Sequence, residues 1–298
     1  MAGMGLSEGM QSVSKDLMAD PAALRSRILE ALYLDCDDSS IFQAENGAGA
    51  ASSSVMLLLG EQPAGTGSPA SAGHRGVEIA LILNKRSRRV RQAGDLCCPG
   101  GAVEPQLDPY LAKLLLLPGS PLARWPHWSQ YQNRECRESA RLLALLLATG
   151  LRESWEEMRL NPLSIALLGT LPPQRLLLFR RIIHPMVGWV KWRQRFVPSW
   201  EVEKIVRIPL RTLLDPAHYA CYRLHVPPRL EQRFNHHTQD MPCFLYQDGR
   251  QTEMLWGATY KIVMSFLARV FGFTPPEPGA LPLVPGILDE SYIYGRDD

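Results

Sequence analysis

Residues 135–160 form a continuous run of helix-forming residues. Leu142, Leu143, Leu146 and Leu147 fall on one side of it at helical spacing, which predicts an amphipathic helix over this stretch. Asn161-Pro162 stops it, because the residue before a proline is pushed out of the helical region. Such a helix has to lay its leucine side on a partner, and its surroundings supply short strands. Residues 54–60 (SVMLLLG) and 77–84 (VEIALILN) flank a Gly/Pro/Ser/Ala loop at 61–75 and predict a hairpin or adjacent strands. Further extended runs are predicted at 164–169, 175–183, 187–192, 203–208, 221–226 and 243–247. Shorter helices are predicted at 21–35, 209–220 and 253–271. Residues 85–108 read as loop and turn, and 109–134 as an excursion without periodicity. Strands first, a long helix in the middle and another late predict an α/β fold, an α/β/α sandwich with a mixed β-sheet.

Composition narrows the function classes. Hydrophobic residues make up 46% and charged residues 21%, an ordinary globular balance with enough apolar content for a sizeable core. The formal net charge of +2 argues against a protein built to coat nucleic acid, so no nucleic-acid partner is expected. The apolar run at 140–151 is too short for a bilayer span, and the first 20 residues show no secretory pattern; no membrane partner and a cytoplasmic location are expected. The six cysteines contain no CxxC spacing and make no disulfide scaffold for a chain of 298 residues. The expected partner is a small molecule, with a homodimer left open.

The chemistry concentrates in LRESWEEMRL at 151–160. On a helix, Glu153, Glu156 and Glu157 fall within an arc of about 100°. Three carboxylates on one arc either face solvent with arginine partners or converge on a hard divalent cation. Upstream, LILNKRSRRVRQAGDLCCPGG at 81–101 places a Gly-Gly turn after Pro99, with Arg86, Arg88, Arg89 and Arg91 nearby. Glycines let a backbone approach a ligand closely, and arginines bind phosphate with a planar fork. Cys97 and Cys98 read as small hydrophobes. His236-His237 beside Asp240 read as loop residues, with a metal site as the sharper alternative.

PGGxxE followed by a helix bearing RExxEE resembles the Nudix box, which is G, five residues, E, seven residues, REUxEExGU. KRSRRVRQAGDLCCPGG resembles the segment before the box in the coenzyme A diphosphatase branch. NPLSIALLGTLPP, HPMVGWV, EVEKIVRIPLRTLL and LWGATYKIV are similar, in order, to its later segments. The resemblance covers about residues 54–272. It implies an N-terminal arm and helix at 1–53, a Nudix domain at 54–272 and a Pro/Gly-rich tail at 273–298. The box departs from its pattern: about 43 residues stand between Asp108 and Arg152, so 109–145 reads as an insertion in the Nudix loop. The first box Glu falls at Leu107, with Asp108 as the substitute, and the box's last Gly is Arg159. The implied cofactor is Mg²⁺ or Mn²⁺, held by Glu153, Glu156, Glu157 and the carbonyl of Gly101. The implied catalytic set is Arg152, Glu153 and Glu157. Arg86, Ser87 and Gly100 would contact a coenzyme A-like nucleoside diphosphate. Glu153, Glu201, Glu203 and Glu253 are the general-base options. The implied reaction splits the diphosphate of coenzyme A or acyl-coenzyme A. The other outcomes are hydrolysis of another nucleoside diphosphate derivative, or an inactive ligand-binding protein.

Overall fold

The computed structural model describes residues 17–33, 51–63, 76–132, 137–176, 181–191, 194–226, 238–287 and 292. Helix α1 spans Pro21–Ala31, with Pro21 in its first turn and the Asp20 carboxylate accepting hydrogen bonds from the amides of Ala22 and Ala23. Strands β1 (Ala51–Pro63) and β2 (Val77–Arg86) pair antiparallel, as expected of the two apolar runs. β1 also runs parallel to β7 (Arg181–Val190), which pairs antiparallel with β5 (Ile165–Thr170) and β6 (Gln174–Leu176). On the other side, β2 pairs with β3 (Leu96–Cys97) and β8 (Val202–Pro209). The result is one mixed eight-stranded sheet.

β1 is apolar from Val55 to Leu59 because both of its faces are covered there. Met56 and Leu58 face the long helix α4 (Arg137–Met158), which buries Leu143, Leu146, Leu147 and Leu151 against them. Leu57 and Leu59 face the opposite core, filled by Leu24 and Ile28 of α1 and by Ile262, Val263, Phe266 and Leu267 of the late helix (Gly257–Phe271). Helices on both faces of a mixed sheet make the expected α/β/α sandwich. A second sheet of four strands comprises β9 (Tyr219–His225), β10 (Thr238–Asp248), β11 (Gln251–Leu255) and β12 (Leu283–Ile287). No helix among the described residues is long and apolar enough to cross a membrane.

Four expectations need correction. The stretch 85–108 contains β3 and also β4 (Gly100–Ala102), which pairs with Ser53–Val55 of β1. The Gly-Gly pair therefore begins a strand, because β1 offers it a free edge. Residues 109–134 hold two helices, α2 (Asp108–Leu115) and α3 (Trp128–Gln132), whose buried Ala112, Leu115 and Trp128 join the core beneath α4. Glu253 lies on β11, and the helix starts only at Gly257 (α6, after the short α5 at Leu210–Leu213). The tail supplies β12, parallel to β9. For the strands and for Glu253, partner strands distant in sequence override local composition.

Helix α4 ends at a left-handed residue that is not glycine. Arg159 has φ of +55°, its amide donating to the Trp155 carbonyl at 2.9 Å and its guanidinium over the Trp155 ring. A side chain in this region costs about 1 kcal/mol against glycine. Arg159→Gly is therefore expected to stabilise the fold by somewhat under ~1 kcal/mol, since the cation–π contact is lost. Urea unfolding checks this; a destabilised variant would show that the ring contact outweighs the strain.

Beneath α4, His184 of β7 stands beside Ser54 of β1 in register and is 3% exposed. Neither ring nitrogen has a hydrogen-bond partner among the described residues. Burial pushes its pKa down to about 4 from an ordinary 6.5. Between those values the unfolded chain takes up a proton that the folded chain refuses. Stability is complete above pH 6.5 and falls as pH drops towards 4, by roughly 3 kcal/mol. Comparing unfolding of the native chain and His184→Leu from pH 7 to pH 4 checks this: the variant should lose less on acidification.

Candidate active site

The site is set where two strands share one edge of β1. β2 pairs with Leu58–Pro63 and β4 with Ser53–Val55, so the chain parts between them and the Met56 amide bonds the Pro99 carbonyl at 2.8 Å. Gly100 and Gly101 fill this opening. Gly100 has φ of +155°, and a Cβ there would overlap the Ser54 carbonyl. A Cβ on Gly101 would overlap the Glu153 carboxylate. The pair is glycine because one backbone conformation and one close approach exclude a side chain. Gly150 lets α4 approach β1 in the same way, with Met56 Sδ only 2.9 Å from where its Cβ would be. The helix thereby delivers Glu153 and Glu157 against β4.

Arg152 organises the acids around it. Its Nε donates to Asp108 Oδ1 at 2.7 Å and its Nη2 to Asp108 Oδ2 at 3.2 Å and the Ala102 carbonyl at 3.1 Å. Its Nη1 donates to Glu153 Oε1 and to Glu156 Oε2, both at 3.0 Å. Asp108 is fully buried and also accepts from Thr149 Oγ1 and the Glu104 amide, each at 2.7 Å. Burial raises the Asp108 pKa, but the bonds from Arg152, the Glu104 amide and Thr149 outweigh it and hold the carboxyl below its ordinary value. Asp108 is thus an anchor for Arg152, and its oxygens are taken by these donors.

Glu157 is 7% exposed and accepts from Asn84 Nδ2 at 2.7 Å and from the Gly100 amide. Burial, followed by the charge of Glu153, pushes its carboxyl up to about 8. Glu153 is also raised, chiefly by burial, with Arg152 opposing and the charges of Glu156 and Glu201 adding. Glu156 is half exposed at the rim. Two of the three expected acids meet at the glycine strand, while the third, half exposed, shares Arg152 Nη1 with Glu153. Among the described residues no three His, Cys, Asp or Glu side chains gather as a metal-holding group. The donor chemistry nonetheless fits a hard cation: a buried Glu157 whose pKa is raised by burial and by the charge of the partly buried Glu153 is relieved by a divalent ion between them.

The basic loop lies across from these acids. The charge of Arg86 acts on Glu157 and Cys97, while its Nε bonds the Arg91 carbonyl at 2.8 Å. Ser87 donates its amide to the Glu201 carbonyl at 2.8 Å and accepts from the Arg89 amide. The base of the loop is pinned by Asp95, which accepts from Trp256 Nε1 at 3.0 Å and from the Tyr292 hydroxyl. Burial pushes the Cys97 thiol up to about 12 and Cys98 higher still, so neither is a ready thiolate. Of the base candidates, Glu201 faces Glu153 electrostatically. Glu203 is tied to Lys85 at 3.4 Å, and buried Glu253 to Lys85 at 3.1 Å and Lys204 at 2.9 Å. Asp240 pairs with Arg223 at the surface; His236 and His237 lie outside the described residues.

Asn84, Thr149 and the Asp95–Trp256–Tyr292 group escaped the sequence reading. Asn84 did leave a signal: it follows Ile82 by two in an apolar strand, so it points to the same buried face. A polar residue there needs a partner, and Glu157 is that partner.

No family model matches the chain, and no curated protein matches it. Solved structures do. A Nudix hydrolase from Alicyclobacillus acidocaldarius is 12% identical, with 78% of this chain and 100% of that one covered and a TM-score of 0.36. The M. smegmatis Nudix hydrolase RenU is 14% identical over 57% of this chain and 78% of that one, with a TM-score of 0.32. The Nudix domain of Shewanella oneidensis NrtR, solved with ADP ribose, is 13% identical over 57% and 79%, also at 0.32. Scores this low leave the functional reading to the side chains.

Proposed function

We propose that this chain is a metal-dependent Nudix hydrolase that splits the diphosphate of coenzyme A or acyl-coenzyme A into 3',5'-ADP and (acyl-)phosphopantetheine. The observation that supports it best is the placement of Glu153 and Glu157 against Gly100–Gly101 at the parting of β2 and β4. Glu153, Glu157 and the Gly101 carbonyl would hold Mg²⁺ or Mn²⁺, with Glu156 joining on release from Arg152. Such an ion, when bound, neutralises diphosphate charge and acidifies a coordinated water. Arg152 keeps Glu153 in place through its own anchor on Asp108. Arg86, Ser87 and the Gly100 region would position the substrate's phosphates, with the further loop arginines available to a 3'-phosphate. Glu201 or Glu153 would accept the proton of an attacking water, since Glu203 and Glu253 are tied to lysines.

A second reading has an observation of its own: Arg152 bridges Glu153 and Glu156, and a guanidinium there competes with a cation. It makes the chain a ligand-binding protein without turnover. Mass spectrometry of products from coenzyme A, acetyl-coenzyme A, a nucleotide sugar and a dinucleotide, with Mg²⁺, Mn²⁺ or chelator, separates these. Metal-dependent 3',5'-ADP release with the highest kcat/KM for coenzyme A compounds is expected. A better nucleotide sugar or dinucleotide would overturn the substrate, and binding without product would overturn the hydrolase.

A further inference from the structure

α4 does not cover the whole of the sheet face on which it lies. Beyond its end, Pro63 of β1, Ile82 of β2, Val190 of β7 and Phe196 line an open cleft of about 140 Å³ to which no residue of α4 contributes. Arg207 of β8, the register partner of Ile82, enters the same cleft. Its guanidinium lies over the Phe196 ring, 5.3 Å from the centroid. Among the described residues it makes no ion pair and no side-chain hydrogen bond. It is only partly exposed, and burial alone lowers its pKa, with no acid opposing. A cation partly withdrawn from water with no acid paired to it costs the fold, and an anion bound against it in the cleft reduces that cost.

We infer that this cleft is a second ligand site, separate from the acids of α4, that takes a small organic monocarboxylate with a flat apolar body. The planar fork of Arg207 matches a carboxylate bidentately, and the ring of Phe196 and the side chains of Ile82, Val190 and Pro63 suit a flat hydrocarbon. Lys191 adds a positive charge to the lining, while Glu61, also in the lining, opposes a second negative charge on the ligand. That sign pattern selects a monoanion over a phosphate dianion. The inference is independent of the hydrolase reading, since none of these residues belongs to that site.

Saturation-transfer NMR tests it with 1-naphthoate, 1-naphthalenemethanol, 1-naphthyl phosphate and inorganic phosphate. Naphthoate should bind best, with intermolecular contacts to the Phe196 ring and the Val190 methyls. Arg207→Gln should weaken it about tenfold, and Lys191→Glu should weaken it less. Circular dichroism verifies that the Arg207 variant is folded; if it is not, Phe196→Ala carries the test with the same expected loss. Naphthoate binding without contacts to Phe196 or Val190, equal binding of the alcohol, tighter binding of the naphthyl phosphate, no naphthoate binding to the native chain, or binding unchanged in these variants would each overturn the site.

Discussion

Glu157→Gln is expected to lower kcat by about a thousandfold and, in chelator, to leave the protein more stable than the native chain. The two effects have one cause. Glu157 is nearly buried, and its carboxyl is pushed up by burial and by the charge of Glu153. An ionised group in that position is costly unless a cation faces it. Glutamine keeps the shape and can still accept from Asn84 Nδ2 and the Gly100 amide. It removes the charge that would hold the proposed divalent ion, and losing one such electrostatic group is worth about a hundred- to a thousandfold in rate. Without metal it relieves repulsion from Glu153, a gain on the order of 1–2 kcal/mol near pH 8. Mn²⁺ should raise the Tm of the native chain and leave the variant unmoved, because an ion that binds only the folded state stabilises by mass action. Steady-state kinetics and thermal unfolding with and without Mn²⁺ read all three. A variant with native turnover would sink the hydrolase. A variant less stable than the native chain in chelator would show that the carboxylate is held for structural reasons.

The sequence carried the local half of this site and not the long-range half. Three acids at helical spacing and a glycine pair are patterns within a few residues, and Glu153 and Glu157 do meet that pair. The half-exposed position of Glu156, which shares Arg152 Nη1 with Glu153, was not legible, because the three acids fall on one arc and spacing alone does not separate them. The strand character of Gly100–Ala102 depends on the free edge of β1, about 45 residues earlier. Of the two helices between Asp108 and Gln132, the first carries Leu111, Ala112 and Leu115 at helical spacing and docks them beneath α4, a short signal hidden among the prolines and glycines that follow it, while the five-residue second is too short to show a period. Glu253 looked like the start of a helix by composition, but Lys85 and Lys204 hold it on a strand. Asp95, Trp256 and Tyr292 stand up to 197 residues apart, and no local window joins them.

Asp108→Ala is expected to cost about 3–5 kcal/mol, the largest stability loss from one side chain in the site. The carboxylate is fully buried and serves Arg152 twice, Thr149 and the Glu104 amide once each. Removing it leaves a guanidinium that is 10% exposed without its main counter-charge and strands the Glu104 amide, while Thr149 Oγ1 keeps the Leu145 carbonyl at 3.0 Å. It also removes a negative charge from the first turn of α2, where the helix dipole favours one. Arg152→Met removes the cation instead and leaves Asp108 to the neutral donors, so its cost should be similar. The double variant should cost less than the two singles added, since each single leaves behind the charge that the other removes. Urea unfolding of the three variants reads this coupling, expected at about 2 kcal/mol; additivity within about 0.5 kcal/mol would mean that the pair is not a unit. Hydrogen exchange should rise first over residues 104–115, because α2 is tied to α4 through this carboxylate. Activity should fall in both singles even under conditions where they stay folded. In Asp108→Ala the guanidinium is free to swing wholly onto Glu153 and Glu156, which places it in competition with the cation that those acids are proposed to hold.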